Sequence, residues 1–497
     1  MTARTFMLIV GLILAIFTSI AVMLIPAKVV DNRKVIVWTT DPNPQRDPQV
    51  EWYNKKYPKN FLKIDPANSD VMKVVVQSSA GMGPDVIGHV HEGVFQTYLD
   101  AGILWDITEQ AKEMGFGLDT LHPAIRPLVT QPVAGKDGTI TQRQFVYPCN
   151  VYHTYILYNK NVFDKFNVPY PKEDLTWEEY IDISKKLTKF TSKDSQVPDI
   201  FGTSDSNLKI ILWGKGGAMI NKDGTRSLFD SEKAIDALMF KHDLLYKHGI
   251  EPSPTQKAAI SGQGGWGGNI SWFGEGKVGM FWGARWVLIQ LRRFIAMQHT
   301  LKENWDKEHP GEKYQGAPVL RMGAVKVPRF KGKPRYTGFG SRGAGINKQS
   351  KNREEALTFL QYLASAEYSK TINDGADSKP GNLKYNKLEL FEHPDFPGEK
   401  EIHEMSIKAI PDGRITPRSM FINAATLGRI YKDVQSNLIS HEKITREEVK
   451  KMLQTASHEI DLEIARNIKR NPHLRKIYDK MLENGAEPIK MNLEEVD

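Results

Sequence analysis

The chain has 497 residues, 25% of them charged and 40% hydrophobic, a formal charge of +8 and one cysteine. That length accommodates several domains of ~150 residues, and the composition excludes a low-complexity or disordered chain. Lys and Arg alternate with Asp and Glu, which leaves no basic stripe for nucleic acid, and Cys149 alone excludes an intramolecular disulfide and reads as a small core residue.

Phe6 to Ile25 is a run of twenty residues without a charge. As a helix it spans a hydrocarbon core of ~30 Å. It is longer than a usual secretory apolar region, and Ile25-Pro26-Ala27 is a poor cleavage site. The run reads as an uncleaved signal anchor, with a cleaved signal as the alternative. The flanking charges, Arg4 against Lys28, Arg33 and Lys34, would by themselves leave the body inside.

Val35–Trp38 predicts a strand, 48–56 a helix and Phe61–Ile64 a second strand. Ser69 is placed to cap a helix reaching Ser79, with Val71, Val74 and Val75 on one face. Gly81-Met-Gly-Pro84 turns the chain into a strand, 85–90, and a helix follows from Glu92 to Gly102. Strands alternating with helices across short connections predict an α/β fold with a mainly parallel sheet. Ligands of such sheets sit beyond the carboxyl ends of strands, which here are Trp38–Asp41 and Gly88–Glu92.

Residues 144–151 predict a strand leaving one body of protein, and Tyr155–Tyr158 a buried strand in another. A short helix holds Val162, Phe163 and Phe166. Thr176 and Glu179 have capping-box spacing, as do Thr445 and Glu448. Residues 208–213 lead into a glycine cluster, 231–248 form an amphipathic helix, and 261–273 read as a flexible loop with aromatics. A strand returns at 322–327. Gly338-Phe-Gly-Ser-Arg-Gly343 fits GxGxxG but lacks the strand before it and the helix after it, so it reads as a turn. Residues 350–365 form a capped helix, and the chain from 415 onward is helical. No Walker A, HExxH or GxSxG motif occurs.

Trp38, Trp213, Trp266, Trp272, Trp282 and Trp286 fall at strand ends or in glycine-rich segments. Flat aromatic rings suit the apolar faces of sugars, and charged side chains suit their hydroxyls. For each Trp, core packing is the competing reading. His89, His91 and Glu92 have spacing open to zinc, to hydrogen bonding with a ligand, or to a structural role. No second cluster completes a metal site, so neither metal nor cofactor is expected.

Five segments together resemble the extracellular solute-binding proteins of ABC importers, in their sugar-binding, maltose-binding-like branch. They are VIVWT at 35–39, GMGPDVIGHVHE with AGILWDIT at 81–108, YPCNVYHTYILYNKNVF with PKEDLTWEEY at 147–180, FWGARW at 281–286, and GINKQSKNREEALTFLQYLAS at 345–365. The resemblance implies a two-lobed type II periplasmic-binding fold with a three-segment hinge, and the apolar run adds an N-terminal transmembrane helix before it. It divides the chain into an anchor (1–30), a first lobe (33–149 and 336–385), a second lobe (150–335 and 386–470) and an extension (471–497). It puts the body outside the cell membrane, overriding the flanking charges.

The implied role is capture of a carbohydrate between the lobes and delivery, as a monomer, to a membrane permease with a separate ATPase. A ligand-presenting sensor, a binder of another solute and a secreted carbohydrate-active enzyme are the alternatives. The residues expected at the ligand are Trp38, Asp41, His89, Glu92, Tyr152, Trp213, Trp272, Arg285, Trp286 and Arg342. Two departures qualify this. Tyr152 stands where the maltose binder has Glu, and the Gly283-to-Trp286 spacing is one residue longer than the commonest form, which leaves both Arg285 and Trp286 as candidates.

Overall fold

Alternation in the first strand sets the first sheet. In β1 (Lys34–Thr39), Ile36 and Trp38 are fully buried while Val35 is exposed. β1 runs parallel to β2 (Asn60–Asp65) on one side and to β3 (Val86–Val90) on the other. Gly88 permits the second pairing, because a Cβ there would lie 2.0 Å from the Thr39 carbonyl oxygen. The computed structural model describes residues 33–65, 70–135, 139–190, 197–260 and 267–496. The apolar run Phe6–Ile25, Ser69 and Trp266 lie outside them. Beside Ser69, Asp70 caps helix Val71–Ser79, accepting from the Lys73 N–H at 2.8 Å. Among the described residues no helix is long and apolar enough to cross a membrane.

β4 (Thr130–Ala134) and β5 (Ile140–Gln144) form a separate hairpin. β6 (Val146–His153) belongs to the first sheet, and β7 (Tyr155–Asn159), just beyond Thr154, belongs to a second. That second sheet has the order β10-β7-β9-β8, with β8 at Phe201–Thr203, β9 at Val278–Gly283 and β10 at Met322–Val325. The chain returns to the first sheet in β11 (Thr337–Ile346), pairing antiparallel with β3 and β6, and β12 (Gly413–Arg414) adds to its edge. Two sheets, each with its own apolar core, make two lobes. Close to the first crossing, the Thr337 hydroxyl donates to the Thr154 carbonyl, and the main chain of Lys379 pairs with that of Val151.

The segment containing Gly338–Gly343, expected as a turn, is therefore part of a ten-residue strand. Its glycines make room for neighbours: a Cβ on Gly340 would meet the Tyr152 ring at 2.3 Å, and one on Gly345 would meet Leu104 at 2.8 Å. The expected loop 261–273 is corrected over 267–273, since Gly267–Gly274 is helical, and its residues 261–266 lie outside the described ones. Both capping boxes form, at Thr176 and at Thr445, and they start helices Trp177–Leu187 and Arg446–Arg470. Beyond residue 470, Asn471 caps helix Pro472–Glu483, which buries Ile477 and Tyr478 in the second core.

Candidate functional site

The segments that follow strand ends in the two lobes face one another across a cleft. One compartment, of about 470 Å³, is lined by Glu92, Tyr152, Asp205, Trp213, Trp282 and Trp286, among others. Glu92 opens helix Glu92–Asp100, where the His91 Nδ1 caps by accepting from the Gly93 N–H. Trp213 belongs to helix Leu208–Lys215, and the Arg414 guanidinium lies 5.4 Å from its ring centre. Trp282 ends β9. Its Nε1 donates to the Tyr180 hydroxyl at 2.7 Å, and its ring stacks on Trp177 at 5.8 Å. Trp286 sits in the 3-10 turn Arg285–Val287.

Asp205 accepts from Lys241 and Lys257, each at 2.7 Å. Burial alone would raise its carboxyl, but the two ammonium groups hold it well below the usual carboxylate range. It is an ionised acceptor on the cleft wall. Lys241 is itself fully buried and also bonds Glu251.

Tyr152 and Trp286 also line a second compartment of about 470 Å³, with Asp41, His89, Arg342 and Asp377. Here two guanidinium groups and two carboxylates form a closed quartet. Arg46 meets Asp377 at 2.6 Å and Asp41 at 3.0 Å, and Arg342 meets Asp41 at 3.0 Å and Asp377 at 3.2 Å. Against the effect of burial, Arg342 and Arg46 hold the Asp41 carboxyl well below the usual range. Desolvation pulls the His89 imidazole down and outweighs the attraction of Asp41. A neutral His89, held at φ +55°, can donate and accept with hydroxyl groups. Its ring centre lies 5.4 Å from that of His91. Among the described residues no three His, Cys, Asp or Glu side chains are grouped to hold a metal ion.

Seven of the ten residues selected from sequence thus line the cleft: Asp41, His89, Glu92, Tyr152, Trp213, Trp286 and Arg342. Three do not. Trp38 is fully buried in the first core, 5.0 Å from the Phe359 ring. Trp272 packs with Phe201 and Val278 in the second lobe. Arg285 is 1% exposed and donates to the carbonyls of Ser378 and Asn373, both at 2.7 Å. Sequence reasoning missed Asp205 and Lys209, because the partners that fix them lie far away in the chain. Asp205 is 36 and 52 residues from its two lysines.

A family model for bacterial extracellular solute-binding proteins matches residues 39–370. The chain belongs to that family. Among solved structures, this solute-binding protein is similar to an ABC substrate-binding protein from Listeria monocytogenes in complex with cycloalternan. The identity is 20% and the TM-score 0.66, over 86% of this chain and 98% of that one. A Thermotoga lettingae solute-binding protein bound with tagatose gives 18% and 0.64, over 87% and 100%. Maltose-bound MalE3 of Thermotoga maritima gives 18% and 0.63, over 86% and 98%. At these identities the likeness establishes the two-lobed fold, and the family and these structures are binding proteins.

Proposed function

We propose that this solute-binding protein is the substrate-binding subunit of an ABC importer, capturing a mono- or oligosaccharide between its lobes and delivering it to a membrane permease with a separate ATPase. One observation carries the reading: Trp213, Trp282 and Trp286 share a cleft compartment with the charged groups of Asp205, Glu92 and Lys209. Indole faces stack on the C–H faces of a pyranose, and the ionised groups bond its hydroxyls. The sugars in the three solved structures support the same cargo class. A ligand that touches both lobes binds the closed state better and shifts the hinge equilibrium toward it.

Residues 6–25 serve as the membrane anchor in this reading and keep the binder near its permease, raising its effective concentration there. The body works outside the cell membrane as a monomer. Titration of the full chain with mono- and oligosaccharides, followed by tryptophan fluorescence, tests the proposal. A saturable change with no cleavage products is the expected result. Cleavage products would favour an enzyme, and a response only to amines or inorganic anions would discard the carbohydrate cargo.

A further inference from the structure

The cleft does not end at the tryptophans. A third compartment, of about 610 Å³, runs between helix Glu92–Asp100 of the first lobe and helix Ala424–Ser440 of the second. It adjoins the tryptophan compartment, since Glu92, Lys209, Thr416, Tyr431 and Gln435 line both. Met219, Ile220, Ile422 and Leu427 give it apolar walls suited to the faces of further sugar units.

Its charges are unbalanced. Lys209, Arg418, Arg429 and Lys432 line it, against Glu92 and Asp433. Arg429 is neutralised by Asp433 at 3.2 Å and by Glu459. Lys209 shares Glu92 at 3.7 Å. That uses both carboxylates. Arg418 donates through Nη1 to the Thr130 carbonyl at 3.2 Å, and its guanidinium lies 4.7 Å from the centre of the Phe95 ring. Its Nη2 is buried without an acceptor. Among the described residues no carboxylate lies within ion-pair distance of Arg418 or Lys432. A desolvated guanidinium with unmet donors is costly, and an oxyanion relieves that cost with a charge-assisted pair.

We propose that this compartment is the subsite for an acidic sugar unit, so that the cargo is an oligosaccharide whose terminal unit carries an oxyanion seated against Arg418 and Lys432. The neutral units then lie along Trp213, Trp282 and Trp286. This inference rests on the saccharide reading above.

The test is isothermal titration of the full chain, held in a detergent without a sugar headgroup. The probes are a trisaccharide with one terminal uronic acid, its carboxyl-reduced neutral counterpart and the same neutral trisaccharide sulfated on that terminal unit, applied to wild type and to R418Q, R418K and K432Q. At least one acidic probe is expected to bind roughly 10-fold or more tightly than the neutral one. Which acidic probe gains the preference identifies the oxyanion as carboxylate or sulfate. The preference is expected to collapse toward unity in R418Q, to fall in K432Q, to survive partly in R418K and to shrink as salt rises.

Lys432 is exposed, so K432Q keeps the test valid if R418Q fails to fold. Equal affinity for neutral and acidic probes overturns the acidic subsite and leaves the saccharide reading standing. A preference that persists in both R418Q and K432Q also overturns it. Silence toward all three trisaccharides and toward simpler sugars overturns both.

Discussion

Arg285 and Trp286 are adjacent in the chain and face opposite ways. The guanidinium of Arg285 is buried on the carbonyls of Ser378 and Asn373. The indole of Trp286 lines both main cleft compartments. The two substitutions should therefore separate stability from binding. Arg285→Leu strips donors from several buried carbonyls and should destabilise by about 3 kcal/mol or more in a urea melt. Trp286→Ala, which also loses packing against the core beneath it, should cost less stability than Arg285→Leu and weaken saccharide binding roughly 10-fold. Normal sugar affinity in Trp286→Ala would show that the cargo sits elsewhere.

The quartet in the second compartment sets an acid limit. Asp377 is 3% exposed, accepts from Arg46 and Arg342, and also accepts from the Asn150 amide at 2.9 Å. Burial opposes its ionisation, and the two guanidinium groups prevail and depress its carboxyl. A depressed carboxyl contributes stability that is complete above the unfolded value of ~3.9 and fades as pH falls toward the folded value. Asp377→Asn leaves two buried cations to share Asp41 and should cost about 3–5 kcal/mol at pH 7. Paired urea melts at pH 7 and pH 3 should show the gap from wild type narrowing in acid. A gap independent of pH would mean that the loss is one of packing.

Lys379 has the opposite sign. Its amino group is buried and, among the described residues, has no carboxylate in contact; it lies 2.9 Å from the His153 Nδ1 and 2.8 Å from the Ser406 carbonyl. Burial, and then the charge of Arg285, push its amine well below the ordinary value. Between the folded value and the unfolded ~10.4, the unfolded chain holds a proton that the folded one lacks, so this site's contribution rises with pH. Wild type should gain stability relative to Lys379→Met between pH 7 and pH 9, read as an upward shift of the wild-type urea midpoint relative to the variant's. A constant difference would remove the lysine from the account.

The anchor is checked by mass. If residues 6–25 stay on the mature protein, the membrane fraction should yield a chain of the full mass, 56.3 kDa, released by detergent and not by salt. A soluble species shortened by about 3 kDa, at ~110 Da per residue from residue 1 to the end of the run, would mean cleavage.

Much of the fold was legible because its signals are local. β7 is a short apolar run, Thr176 and Thr445 announce their helices through residues three positions on, and the alternating β1 places Ile36 and Trp38 inward. β11 was not legible as a strand, since Gly338, Gly340, Gly343 and Gly345 carry no strand propensity. Its place is set by β3 and β6 on either side, and the β6 side chains Tyr152 and Val146 take up the space beside Gly340, Gly343 and Gly345. The site divides in the same way. Asp41, Glu92 and Trp286 follow strand ends and were within reach. Trp38 and Trp272 occupy similar sequence contexts but point into cores, and only packing decides that. Asp205 owes its ionised state to Lys241 and Lys257, which no local pattern ties to it.

The most direct test of the central claim is calorimetric titration of the full chain with a saccharide panel, alongside Trp286→Ala. The account predicts saturable binding of an oligosaccharide, an unaltered sugar recovered afterwards, and a weaker constant for the variant. Absence of binding across the panel, or recovery of cleaved sugar, would contradict it.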